Sequence, residues 1–207
     1  QTNEQAGFRR GYSIIHHIHT LNQLIEKTGE YNLELHLVFI DFRKTFDTVG
    51  HTCLILALLD DGDETSIKII KNVYDNAAAH IKLDKKGETF RIKRGVTQGD
   101  PLSPNLFDTV FKWISKKLDW EDYRINIARV KLNNVRFADD VILIGKNREE
   151  IKKMVLEFMK VCKVAGLQMN RDKTKYMSNR QKANLTFEGW EIECVDEYTY
   201  SGKSLQW

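Results

Sequence analysis

The sequence predicts an α+β fold, and three observations carry that reading. Glu34 to Ile40, "ELHLVFI", is a mostly apolar run of strand length, as a strand covered on both faces would be. Glu149 to Cys162 places Ile151, Met154, Val155, Phe158, Met159 and Cys162 on the stripe of an amphipathic helix, which Gly166 stops. Elsewhere helix-like and strand-like segments alternate irregularly, which fits α+β better than a doubly wound sheet.

In chain order, Ile14, Ile18, Leu21 and Ile25 recur at helical spacing between Tyr12 and Lys27. His16, His17 and His19 lie on that helix and read as satisfied or solvated histidines rather than metal ligands. After the strand, His51 to Leu59 predicts a buried helix ended by "DDGD", with Asp60 and Asp61 in a solvated loop. Asp63 is placed to cap a helix over Glu64 to Asn76. His80–Leu83 and Thr89–Lys93 predict strands joined by a turn at Asp84 to Gly87. A helix is expected from near Pro104 to about Leu118. Strands follow around Ile125 to Val130, Asn134 to Phe137 and Val141 to Ile144, and Leu167 to Trp207 reads as short strands and turns.

The composition is that of a globular chain: 42% hydrophobic, 29% charged, net charge +3, which permits a nucleic-acid partner without demanding one. Cys53, Cys162 and Cys194 show no CxxC spacing and read as reduced thiols of an intracellular protein. No apolar run is long enough to span a bilayer and no signal peptide opens the chain, so no membrane partner is expected. The chain does not begin with Met and is read as a piece of something longer.

The chemistry concentrates in "RFADDVILIG", Arg136 to Gly145. Neighbouring side chains of a regular strand point to opposite faces, so Asp139 and Asp140 can converge only if the chain turns there. An Asp pair alone is also what a turn uses for its own backbone hydrogen bonds. Asp41, at the end of the apolar strand where a surface residue is unexpected, supplies a third carboxylate. Three converging carboxylates suit Mg²⁺, which keeps waters and substrate phosphates as its other ligands. Two such ions about 3.5–4 Å apart would serve an in-line displacement at phosphorus. The competing reading is that Asp41 caps the helix that follows.

"FIDFRKTFDTVGH" (Phe39 to His51), "RGVTQGDPLSPNLF" (Arg94 to Phe107) and "FADD" (Phe137 to Asp140) together resemble the reverse transcriptases of non-LTR (LINE-type) retrotransposons. So do "EQAGFRRG" (Glu4 to Gly11), "GLQMNRDKTK" (Gly166 to Lys175) and "YTYSG" (Tyr198 to Gly202). The six motifs stand in the family's order and cover nearly the whole chain.

The resemblance implies a right-hand polymerase palm, an antiparallel sheet with helices packed on one face. It implies fingers-like elements at about 1–33 and 78–94, a primer-grip hairpin near 185–202, and thumb and endonuclease regions elsewhere in a longer polyprotein. It implies RNA-directed DNA polymerase activity with two Mg²⁺ ions (Mn²⁺ as a substitute) on Asp41, the backbone carbonyl of Phe42, Asp139 and Asp140. An RNA template, a DNA primer and dNTPs are the implied partners, in cytoplasm and nucleus. Phe46 matches a steric gate, and Gln98 and Gly99 match the motif lying against the incoming nucleotide. Lys173 or Lys175 matches the lysine that meets pyrophosphate, and Tyr200 and Gly202 match the primer grip. Arg91, Lys93 and Arg94 could touch template phosphates. Thr97, Thr45, Ser201 and Gly50 depart from the family pattern. A catalytically silent remnant would carry such departures, but none removes a metal ligand.

Overall fold

A computed structural model describes residues 14–62, 64–82, 86–97, 99–127, 130–180, 182–200 and 202–207. The motif Glu4 to Gly11, Asp63, the tip of the turn at 83–85, Gln98 and Ser201 lie outside the described residues. The chain divides into two compact units. One comprises the described parts of Gln1–Arg43, Leu118–Lys160 and Met169–Trp207; the other comprises those of Lys44–Lys117 and Val161–Gln168.

The first unit is built on a six-stranded sheet. Its strands are β1 (His36–Ile40), β6 (Asn134–Phe137), β7 (Asp140–Gly145), β8 (Lys175–Ser178), β9 (Leu185–Phe187) and β10 (Trp190–Cys194), in the order β6-β7-β1-β8-β10-β9. All neighbours are antiparallel except β8 and β10. Every residue of β1 is buried, as its unbroken apolar run requires for a central strand. On one face Leu37, Phe39, Val135, Ile142, Ile144 and Met177 form a core with Ile18, Leu21 and Leu24 of helix α1 (Ile14–Glu30). Two hairpins complete that core: β4 (Ile125–Ile127) with β5 (Val130–Leu132), and β11 (Glu197–Tyr200) with β12 (Lys203–Gln206). Gly145 shows what meets the other face: a Cβ there would come within 3.0 Å of Ile151 of helix α6 (Arg148–Val164). The palm architecture is thus present, with α1 packed on one face of the sheet and α6 meeting the other. The all-apolar β1 needs cover on both sides.

The strand expected over Ile125 to Val130 is two strands, β4 and β5, paired to each other. The single hairpin expected near 185–202 is likewise two: β9–β10, which joins the main sheet, and β11–β12, which stands as its own sheet. Helix α6 buries Ile151, Met154, Val155, Phe158 and Cys162 as its periodicity demands.

The second unit holds α2 (Thr45–Thr48), α3 (His51–Asp61), α4 (Glu64–Asp75), the ribbon β2 (Ala78–Lys82) with β3 (Lys86–Arg91), and α5 (Ser103–Lys116). Leu54, Ala57 and Leu58 of α3 are buried, as are Phe107, Val110, Phe111 and Ile114 of α5. Asp60 and Asp61 are not in a loop: α3 continues through them to Gly62, whose φ of 82° ends it. They are ion-paired with Lys116 and Lys112 of α5, and a cation across the interface makes helical Asp tolerable where propensity alone argues for a loop.

Candidate active site

Asp41, Asp139 and Asp140 all belong to the first unit. Strand β1 pairs with β7 so that Ile40 faces Val141. One residue further in this register sets Asp41 opposite Asp140, where directly facing positions have Cβ atoms about 4.5–5.5 Å apart. Asp140 in turn pairs with Phe137 across a two-residue hairpin turn, Ala138-Asp139. Ala138 takes φ 55°, a left-handed conformation that costs a residue bearing a Cβ about 1–2 kcal/mol. The turn that sequence reasoning required is therefore there, and it is strained.

The electrostatics follow from this crowding. Burial, then the charges of Asp139 and Asp41, push the Asp140 carboxyl up to about 6. Oδ2 of Asp41 is buried and has no hydrogen-bond partner. An unpaired buried carboxylate oxygen beside a carboxyl raised by its neighbours is an arrangement that a divalent cation relieves, so the donor set fits hard-cation binding. Among the described residues no three carboxylate, imidazole or thiol groups already stand in ion-holding geometry. Mg²⁺ does not need them to, because it takes one or two carboxylates and fills the rest of its shell with waters and substrate phosphates.

Residues that sequence reasoning passed over hold Asp41. Its backbone N–H donates to Thr174 Oγ1 (3.4 Å), and its carbonyl accepts from the Asn170 N–H (2.8 Å). Both partners lie in "NRDKTK", where the family resemblance singles out only the lysines. Phe42 is buried with its ring 6.1 Å from that of Phe158. Of the two lysines, Lys173 is exposed, whereas Lys175 is half-buried and bonded to Glu193 at 2.6 Å.

Tyr200 is buried and its hydroxyl has no partner; Tyr198 stacks on Phe39 with centroids 4.1 Å apart. Gly202, at φ 79°, is exposed in the β11–β12 turn. His17 departs from expectation, being neither solvated nor satisfied. It is buried, both ring nitrogens lack partners, and burial, then His16 and Arg136, lower its pKa to about 4.

The remaining site candidates belong to the second unit. Phe46 is half-buried in α2, stacked 5.1 Å from Phe107. Its carbonyl accepts from the Val96 N–H at 2.7 Å, and Val49 O accepts from Gly95 N–H at 2.8 Å, which ties the "RGVTQGDP" loop to α2. Only glycine fits at 95: φ is 92° and a Cβ would lie 2.8 Å from Asp47 O. Gly99 also has positive φ, 90°, and is exposed. Arg91, Lys93 and Arg94 are exposed.

Residues 1–194 match the family model for reverse transcriptase (RNA-dependent DNA polymerase). The chain belongs to the reverse transcriptase family. It is 30% identical over 159 residues to the Pol polyprotein of a type-1 retrotransposable element R2 from Bradysia coprophila, a match covering 76% of this chain and 18% of that protein. A second R2 Pol polyprotein, from Popillia japonica, is 28% identical over 195 residues, 87% of this chain and 31% of that one. The expected kinship with non-LTR retrotransposon reverse transcriptases is borne out, and the chain spans less than a third of the length of either relative. The fold matches that of apo telomerase from Candida tropicalis with a TM-score of 0.65 at 17% identity, covering 92% of this chain and 36% of that one. The reverse transcriptase family generally depends on divalent metal.

Proposed function

We propose that this chain carries the catalytic centre of an RNA-directed DNA polymerase, joining dNTPs to a DNA primer along an RNA template. The observation that carries the reading is Asp41 opposite Asp140, with an unpartnered buried oxygen on one and a raised carboxyl on the other. Asp41, Asp139, Asp140 and the Phe42 carbonyl would hold two Mg²⁺ ions, or Mn²⁺ in their place. When bound, these supply a lowered pKa at the primer 3′-hydroxyl and charge neutralisation on the triphosphate. The 3′-oxygen bonds to the α-phosphorus, the bond to pyrophosphate breaks, and the hydroxyl proton passes to solvent.

Asn170 and Thr174 fix the backbone of Asp41, so its carboxylate is presented from a rigid strand end. Phe46 would reject a ribose 2′-hydroxyl, Gln98 and Gly99 would lie against the nucleotide, and Lys173 would meet pyrophosphate. Gly202 would lie along the primer, and Arg91, Lys93 and Arg94 along template phosphates. In the same reading, residues 1–33 and 78–94 are fingers-like and the rest is palm. The thumb and endonuclease regions belong to a longer polyprotein, and the setting is intracellular, in cytoplasm and nucleus.

The test is primer extension on an RNA template with dNTPs and Mg²⁺, with Asp139→Asn beside it and circular dichroism on both. The wild type should extend and the folded variant should not. Extension by Asp139→Asn would refute the metal assignment.

A further inference from the structure

The hairpin bearing Tyr198 and Tyr200 is usefully placed relative to the aspartates. By strand alternation Asp41 lies on the same face of the sheet as Phe39, and Asp140 on the same face as Ile142. That is the face on which Tyr200 is buried and Tyr198 is stacked against Phe39. Tyr198 and Tyr200 are two residues apart on β11, so both project from the same side of the hairpin. Tyr200 is only 3% exposed, which leaves no surface for a primer to touch. Its hydroxyl is buried without an acceptor, while Asp41 Oδ2 is buried without a donor. A buried donor and a buried acceptor left unpaired on one face of one sheet are exceptional in a folded protein. The negative charge of Asp140 also reaches Tyr200, adding to burial in raising the phenol pKa.

We propose that Tyr200 is a positioning residue: its hydroxyl, buried on the face of the sheet that carries Asp41 and Asp140, donates a hydrogen bond to a carboxylate of that pair when the site is loaded with a divalent cation and fixes which oxygen faces the cation. This deepens the polymerase reading and rests on Asp140 being a metal ligand. It moves Tyr200 from the primer, where its motif would place it, to the metal site. The outer partner of a ligating carboxylate sets that ligand's orientation, and its loss costs about 10–100-fold in metal affinity or activity.

The experiment is Mn²⁺ titration of the 207-residue chain by calorimetry, comparing wild type, Tyr200→Phe and Asp140→Asn, with thermal melts of each. Tyr200→Phe removes one unpartnered oxygen, so its melting temperature should be unchanged or higher, while its Mn²⁺ affinity falls about 10-fold. In primer extension kcat should fall with KM for dNTP and the Kd for primer unchanged. An unchanged Mn²⁺ affinity in Tyr200→Phe, with wild type binding and Asp140→Asn not, would overturn the inference and leave the polymerase reading intact. No Mn²⁺ binding by wild type would overturn both. A primer Kd that rises with Mn²⁺ affinity intact would return Tyr200 to the primer. Should Tyr200→Phe not fold, the ¹³Cζ resonance of Tyr200 in wild type decides: it shifts on adding Mg²⁺ if the hydroxyl gains an acceptor, and a static resonance refutes the proposal.

Discussion

Strand β1 has two ends, and they treat buried polarity in opposite ways. At His36 the imidazole is fully buried but completely satisfied: Nε2 lies 2.6 Å from Glu34 Oε1 and Nδ1 lies 2.5 Å from the Tyr176 hydroxyl. At Asp41, five residues along, one carboxylate oxygen is buried without a partner, and the neighbouring Asp140 is raised to about 6. The next turn carries an alanine in left-handed conformation. A polar group that closes its own hydrogen bonds belongs to the fold; one left open at a strained turn awaits something from outside. The same strand is therefore anchored at one end and set for a ligand at the other.

The sharpest way to break this contrast is to exchange charge for shape at each end. Asp41→Asn should lower primer extension by more than about 10³-fold, the scale of several kcal/mol of lost metal-ion stabilisation. Its folded stability should hold or rise, because a repulsive charge is removed. A stopped reaction accompanied by unfolding would place Asp41 among structural residues. His36→Phe should do the reverse. It removes both hydrogen bonds of the buried imidazole, to Glu34 and to the Tyr176 hydroxyl, and should cost about 1–3 kcal/mol in urea denaturation, while nucleotide KM in the remaining folded protein stays put. A His36→Phe chain as stable as wild type would show that the satisfied end anchors nothing.

The sequence made the open end more legible than the closed one. Asp41 stood out because a carboxylate ended an apolar run, and the Asp pair because two adjacent charges between strands force a turn. Nothing local marked His36, since its partner Tyr176 is 140 residues away and meets it only through the β1–β8 pairing. The same holds for Asn170 and Thr174, which grip Asp41 from beyond α6. Asp60 and Asp61 stand after a helical stretch and before Gly62, which locally reads as a loop; what holds them in the helix is Lys112 and Lys116, cations more than 50 residues on. The helix α6 was read almost to the residue because a stripe of six apolar positions is local information.

A smaller effect separates the ends by pH in the metal-free chain. Asp140 has a folded pKa near 6 against 3.8 unfolded, so the folded state holds its proton more tightly. Its contribution is present below the unfolded pKa and is lost as pH rises through about 6, roughly 1 kcal/mol after screening by solvent. His17, lowered to about 4 from 6.5, acts with the opposite sign. The unfolded chain binds more protons between these values, so stability rises with pH there. The two oppose each other between pH 4 and 6. Wild type should therefore show a urea midpoint that rises less steeply with pH across that window than that of Asp140→Asn. Parallel profiles for the two proteins would refute the raised carboxyl.

The smallest expected effect is at Glu34. Burial lowers the pKa of His36 despite the hydrogen bond and charge of Glu34, so at neutral pH the ring is neutral and its Nε2–H donates to the Glu34 carboxylate. The bond then needs an acceptor, not a charge. Glu34 is partly exposed and the Gln carbonyl can accept the same proton, so Glu34→Gln should cost no more than about 0.5 kcal/mol, with no pH dependence between 6.5 and 8. A protonated His36 would behave otherwise: removing its counter-charge would leave a buried cation, costing about 3 kcal/mol or more and increasingly so toward lower pH. Urea denaturation of Glu34→Gln at pH 6.5 and 8 separates the two. A large loss concentrated at pH 6.5 would turn the anchored end of β1 into a charged site and erase the contrast with Asp41.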